Sequence, residues 1–161
     1  MNIAFREPDS FSALKVLIDF LWKQDLGYPS YDSWVDRTRS EIDGGYKQAI
    51  VAYEDEKIVG DVIFQPHKEI VGIREIKNLR VDKDVRYRRF GSFLLRQAEW
   101  IDAAAYTLLI ADFRADQNNV ERLLLSEGFE ITATQNLYDD KLDKIATKFN
   151  PFRKLSNVPA Y

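Results

Sequence analysis

The sequence predicts a single α/β (α+β) domain in which one sheet is covered by helices, and three observations carry that expectation. Apolar residues switch repeatedly between a helical spacing of three to four and an extended spacing of two, and their order along the chain reads β-α-α-β-β-β-α-β-α-β-β. No repeat, linker or composition shift interrupts that order before the last dozen residues, so residues 1–149 form the expected domain and 150–161 a tail that begins at Asn150-Pro151. The third is size: 161 residues sits close to the roughly 150 of one domain, and 45% apolar residues with only 7 Gly and 5 Pro supply a packed core.

Asn2 to Arg6 is a short strand that runs into Pro8-Asp9-Ser10, a helix-start signal. Phe11, Leu14, Leu17, Ile18 and Leu21 then fall at helical spacing. Gly27-Tyr28-Pro29-Ser30 breaks the pattern and is expected to recap a second helix carrying Tyr31, Trp34, Val35, Thr38 and Ile42, which stops at Gly44-Gly45. Ala49 to Tyr53 and Ile58 to Phe64 form a hairpin about the turn Glu54-Asp55-Glu56-Lys57. A third extended segment covers Ile70 to Val81. Arg88 to Ala105 is helical, with Phe90, Phe93, Leu94, Gln97 and Trp100-Ile101 expected on one side. A strand from Tyr106 to Asp112 precedes a helix from Asn118 to Glu127, with Val120, Leu123 and Leu124 inward and Gly128 as its C-cap. Phe129 to Tyr138 and Lys144 to Phe149 are the last two strands.

Composition excludes several chemistries. The chain has no Cys and one His, so disulfides, thiolate nucleophiles and sulfur-ligated zinc are absent, and no metal site is expected. His67, between Pro66 and Lys68, reads as a loop histidine. With 23 basic and 26 acidic residues the net charge is −3, which argues against a general nucleic-acid coat. Ala103 to Ala111, the longest nearly apolar run, is far short of the ~20 residues of a membrane helix, and Met1 to Phe5 lacks a signal pattern. A cytoplasmic protein with no membrane partner is expected.

The stretch from Glu75 to Ser92 carries the chemistry. Glu75-Ile-Lys-Asn-Leu-Arg-Val81 is a strand, Asp82 to Val85 a short loop, and Arg86-Tyr-Arg-Arg-Phe-Gly-Ser92 a cation-rich entry into a helix. Unpaired N–H groups and a partial positive charge at a helix N-terminus seat anions, a glycine permits close backbone approach, and arginines add forked donors. A pyrophosphate fits such a loop. Equally, arginines ahead of a helix can be a solvated face and Gly91 can simply relieve packing.

At Arg86-Tyr87-Arg88-Arg89-Phe90-Gly91 the sequence resembles the GCN5-related N-acetyltransferase (GNAT) family, whose phosphate loop reads Gln/Arg-x-x-Gly-x-Gly/Ala. The first and last positions match, and Arg89 stands in place of the middle glycine. Asn78-Leu79-Arg80-Val81, the helix with its Gly128-Phe129 ending, and the element order over Ile3 to Phe149 add to the likeness. The resemblance implies a mostly antiparallel sheet of six to seven strands flanked by four helices, with a splay between strands four and five. It implies acetyl-CoA as cosubstrate, with main-chain contacts from Leu79, Arg80 and Val81 and a pyrophosphate seat on Arg86, Tyr87, Arg88, Arg89, Phe90, Gly91 and Ser92. Gln117 or Asn118 lies where members place an asparagine toward the cofactor.

By the same resemblance Glu75, eleven residues before Arg86, is the expected general base; pairing with Arg74, Lys77 or a neighbouring strand is the alternative. The family's thiolate-protonating tyrosine falls at Leu124, which has no proton to give, so Tyr138 is the stand-in candidate. Trp22, Tyr28, Tyr31 and Trp34 with Asp25, Asp32 and Asp36 are expected to make an aromatic, acidic mouth for a cationic amine, or else to serve as core. The expected activity is direct acetyl transfer from acetyl-CoA to an amine in a ternary complex. Competing readings are a non-catalytic acyl-CoA sensor, motivated by Leu124, and an aminoacyl-tRNA-acetylating toxin, motivated by Arg86 to Arg89. Exposed edge strands and the Pro-bearing tail are compatible with a homodimer.

Overall fold

The computed structural model describes residues 2–25, 27–86 and 88–152. Seven strands and four α-helices follow one another as the sequence predicts. They are β1 (Ile3–Arg6), α1 (Phe11–Trp22), α2 (Tyr31–Asp43), β2 (Gln48–Glu54), β3 (Lys57–Pro66), β4 (Ile73–Val81), α3 (Phe90–Trp100), β5 (Leu108–Arg114), α4 (Asn118–Ser126), β6 (Glu130–Gln135) and β7 (Asp143–Phe149). The sheet runs β1-β2-β3-β4-β5-β7-β6. Every neighbouring pair is antiparallel except β4 and β5. A parallel pair needs a crossover, and α3 supplies it.

Each sheet face buries its own core. Leu14, Leu17, Ile18 and Leu21 of α1, with Tyr31 and Val35 of α2, pack on Ala49, Val51, Ile58 and Ile63. The opposite face packs Phe90, Leu94, Leu95 and Ala98 of α3 and Leu124 of α4 on Val62, Phe64, Ile76, Leu109 and Ala111. Alternation along β3 explains the division: Val62 and Phe64 point one way, Ile63 the other.

Local signals account for most boundaries. Ser10 caps α1 by accepting from the Ala13 N–H at 3.2 Å. Asp55 and Glu56 both take positive φ, as a two-residue hairpin turn requires. Gly128 ends α4 at φ +88°, with its own N–H on Leu125 O and the Phe129 N–H on Leu124 O, the paired bonds of a Schellman end.

Some expectations are corrected. Ser30 precedes α2 in a left-handed conformation and its side chain makes no capping bond. β4 begins at Ile73, because Gly72 turns at φ +81° and leaves Ile70 and Val71 exposed. α3 starts two residues later and ends five residues earlier than expected, with a single 3₁₀ turn at Ala103–Ala105 following it. Its inward stripe is Phe90, Gly91, Leu94, Leu95, Ala98 and Glu99, while Phe93 and Trp100 are 47% and 65% exposed. The stripe shifts because Glu99, a residue sequence patterning places outside, is buried against Lys148 Nζ at 2.6 Å. Asn150, at the start of the expected tail, is buried, and its Nδ2 donates to Ala103 O and Tyr106 O. Residues 153–161 lie outside the described residues.

Candidate active site

β4 and β5 pair only from Ile73↔Leu108 to Ile76↔Ala111. Beyond that point β4 continues against β3 as far as Val81, and β5 against β7 as far as Arg114. The two strands therefore part, and their facing backbone edges are left without a ladder partner between them. A cavity of about 230 Å³ occupies the opening.

Its lining comes from both faces of the sheet. On the α3–α4 face it includes Leu79, Ala111, Gln117, Val120 and Leu124; on the α1–α2 face, Tyr28, Tyr31, Trp34, Arg37, Lys77, Asn78, Arg80, Asp112 and Tyr138. A bulge assists: Ile63 opposes Asn78 and Phe64 opposes Ile76, leaving Lys77 as the extra residue of β4. Lys77, Asn78 and Arg80 consequently gather on the α1–α2 side, while Leu79 and Val81 pack into the α3–α4 core.

Among the described residues Asp112 is the one carboxylate lining the cavity. Leu109, Ala111 and Phe113 turn into the α3–α4 core, so alternation aims Asp112 the other way. Tyr138 Oη donates to Asp112 Oδ2 at 2.6 Å. Burial raises the Asp112 pKa; the Tyr138 bond and Lys77 hold it down in part, and Asp143 and Glu75 push it up. The Tyr138 hydroxyl is raised as well, by burial and then by the adjacent Asp112 charge. Tyr138 is held edge-on against Tyr28, with ring centroids 5.4 Å apart at 89°. Arg114 stacks over Tyr28 at 4.3 Å and ties down the β6–β7 connection through Asp139 at 2.7 Å and the fully buried Asp143 at 3.3 Å.

Behind Arg80 lies Asp61, wholly buried, whose Oδ2 accepts from Asn78 Nδ2 at 2.7 Å and whose Oδ1 has no protein partner. Burial pushes its pKa up to about 7, against the pull of Asn78 and Arg80.

The expected base, Glu75, is outside the cavity lining. Its Oε2 accepts from Gln65 Nε2 of the neighbouring β3 at 2.7 Å, and its Oε1 lies 3.7 Å from His67 Nε2. His67 is a loop residue whose Nδ1 accepts the N–H groups of Glu69 and Ile70. Of the expected acceptor mouth, Tyr28, Tyr31 and Trp34 line the cavity, whereas Trp22, Asp25, Asp32 and Asp36 do not. Asp112, Lys77 and Arg37 were missed by sequence reading. The one signal for Asp112 is a carboxylate near the end of an otherwise apolar strand.

The phosphate-loop residues sit at the start of α3. Arg89 adopts φ +64°, the left-handed conformation that glycine favours, and so fills the backbone role of the glycine it replaces. No side chain caps α3, and the N–H groups of Phe90, Gly91 and Ser92 precede the first intrahelical bond, Phe93 N to Arg89 O. A Cβ on Gly91 would lie 2.8 Å from Leu123 Cδ2, so this glycine allows α3 to approach α4. Arg88 pairs with Glu54 at 2.6 Å, and Arg86 Nε reaches Val81 O at 3.5 Å. Tyr87 lies outside the described residues. Gln117 lines the cavity; Asn118 is exposed and does not.

Residues 45–138 match the acetyltransferase (GNAT) domain model, more than half of the chain. The chain belongs to the GNAT acetyltransferase family. Solved structures share the fold. A GNAT-family acetyltransferase from Streptococcus pneumoniae superposes with TM-score 0.71 at 18% identity, covering 92% of this chain and 99% of that one. The ribosomal-protein-S18-alanine N-acetyltransferase of Escherichia coli gives 0.76 at 14% identity, covering 99% of both. The PaiA N-acetyltransferase of Thermoplasma acidophilum, solved with coenzyme A, gives 0.70 at 17% identity over 92% of this chain and 99% of that one. No curated protein sequence matches the chain. No helix among the described residues is long and apolar enough to cross a membrane.

Proposed function

We propose that the protein is an N-acyltransferase that passes an acetyl group from acetyl-CoA directly to an amine held in the same cavity. The observation that carries this reading is the opening between β4 and β5. It is lined from both faces of the sheet and has the Asp112–Tyr138 pair on its wall, so two substrates can meet there from opposite sides.

The residues present suit the cosubstrate. The unpaired edge of β4 over Leu79, Arg80 and Val81 can hydrogen-bond an extended amide arm as an added strand. The uncapped start of α3, with Arg89 in the left-handed conformation and Arg86 and Arg88 beside it, suits a pyrophosphate. Acetyl-CoA supplies the activated thioester; the chain supplies position and proton transfer.

Asp112 serves as the base. Its raised pKa brings it nearer to the working pH, and Glu75 acts on it from a distance as a charge that raises it further. The amine forms its C–N bond as the C–S bond breaks. Asp112 takes the proton the nitrogen sheds, Tyr138 gives its hydroxyl proton to the departing sulfur, and Asp112 returns a proton to Tyr138 across their 2.6 Å bond. The amine enters as its free base, its ammonium proton having passed to solvent, and the protein ends with the charge it began with.

A second reading, an acyl-CoA sensor without turnover, rests on Leu124, which presents a hydrocarbon to the cavity where the family's tyrosine is expected. Thermal unfolding with coenzyme A and thiol release with an amine panel separate the two. Saturation at a hundred times Kd adds about 2.7 kcal/mol, a rise of roughly 5–10 °C in midpoint. That rise with turnover that falls by about 10²–10⁴ in Asp112→Asn supports the transferase. The rise without turnover supports the sensor, and no rise with any acyl-CoA removes both.

A further inference from the structure

We infer that the acceptor is an amine that also carries an anionic group, a carboxylate or a phosphate, seated by Arg37, Lys77 and Arg80 while its nitrogen meets Asp112. The inference rests on the acetyl-transfer reading and deepens it.

The charges on the α1–α2 side of the cavity are unequal. Among the described residues Arg37 from α2 and Lys77 and Arg80 from β4 line it with one carboxylate, Asp112, while the buried Asp61 lies behind Arg80. Among the described residues neither Arg37 nor Lys77 forms an ion pair or a side-chain hydrogen bond. Arg80 spends Nη1 on Leu79 O at 3.1 Å, while its Nε is buried with no partner. Like charges gathered at one opening repel, and an anion entering among Arg37, Lys77 and Arg80 relieves that repulsion. The acidic residues that would have favoured a polycation, Asp25, Asp32 and Asp36, are absent from the lining.

The seat is separate from the one suited to pyrophosphate. Leu79 and Val81 of β4 turn toward the α3 side, so the Arg80 side chain between them lies on the opposite face of the strand. Tyr28, Trp34 and Tyr138 line the same cavity as the cations and Asp112. An acceptor with its amine at one end and its anionic group near the other satisfies both ends at once, with aromatic walls along its carbon skeleton.

The test uses matched amines that differ only in the anionic group: 4-aminobutyrate against propylamine, and phosphoethanolamine against ethanolamine. Each is titrated calorimetrically into protein saturated with coenzyme A, and each is assayed for thiol release with acetyl-CoA. In at least one pair the anionic member is expected to bind more tightly by about tenfold or more, the factor of one charge-assisted contact. Which pair shows it distinguishes carboxylate from phosphate. Arg37→Gln and Lys77→Gln should each bring that ratio toward one; Arg37 is exposed, so its variant is expected to fold. Equal or reversed affinity in both pairs, or a ratio untouched in both variants, overturns the inference. Preferential binding without thiol release leaves the anion seat standing and removes acetyl transfer. Equal turnover across both pairs leaves acetyl transfer standing and removes the anion seat.

Discussion

Asp61 makes the stability of this fold depend on pH in a direction opposite to that of an ordinary ion-paired carboxylate. It is wholly buried, with one oxygen on Asn78 and the other without a protein partner, and its pKa is pushed from 3.8 up to about 7. A group whose folded pKa is raised stays protonated in the folded state while the unfolded chain ionises. Below the unfolded value the two states bind the same proton and no penalty applies. As pH rises through that value toward about 7, folding loses about 1.4 kcal/mol per pH unit. The gap between 3.8 and about 7 therefore amounts to about 4 kcal/mol at full ionisation. Asp61→Asn removes the titration. Its amide can keep the oxygen that accepts from Asn78, and any unpaired N–H that it leaves costs about 1–3 kcal/mol at every pH. That offset moves the whole curve without tilting it, so the slope is the measurement. Urea unfolding followed by tryptophan fluorescence, at steps from about pH 4 to about pH 8.5, should show the variant gaining on the wild type by up to about 4 kcal/mol. In melting temperature that is on the order of 10 °C, and the gain should level off once pH has passed the folded pKa. Two curves that run parallel across the range would refute the reasoning.

Two further outcomes follow from the same geometry. Tyr138→Phe deletes the bond that holds down the Asp112 pKa, so the acid limb of kcat/KM should move to higher pH; a limb that stays or moves lower would show that Asp112 is not the group being read. Gly60→Ala places a Cβ 2.7 Å from the backbone oxygen of Arg80 and should cost about 1–3 kcal/mol, whereas Gly91→Ala meets a movable Leu123 methyl at 2.8 Å and should cost less. Denaturant midpoints of the two variants check the order, and a larger loss at Gly91 would contradict it.

The site was only partly legible in the sequence. The loop at Arg86 to Gly91 announces a helix N-terminus with cations because those features are contiguous. Arg89 at φ +64° shows that the missing glycine was replaced in conformation as well as in position. Glu75 and Asp112 could not be told apart in role. Both are carboxylates in extended segments, and what separates them is which neighbours they meet. Gln65 and His67, from a strand and loop paired alongside, meet Glu75, while Asp112 faces the opening and Tyr138.

The sequence by itself determined the seven strands, the four helices and their order. Periodicity, the cap at Ser10, the turn at Asp55-Glu56 and the glycine at Gly128 act within a few residues of one another. Tertiary structure alone decided where β4 and β5 separate, where the Lys77 bulge falls, and that Glu99 is buried on Lys148. It also decided that the mouth of the cavity is cationic rather than acidic. Ladder register and ion pairing join residues tens of positions apart, and their free energy exists only once those segments have met.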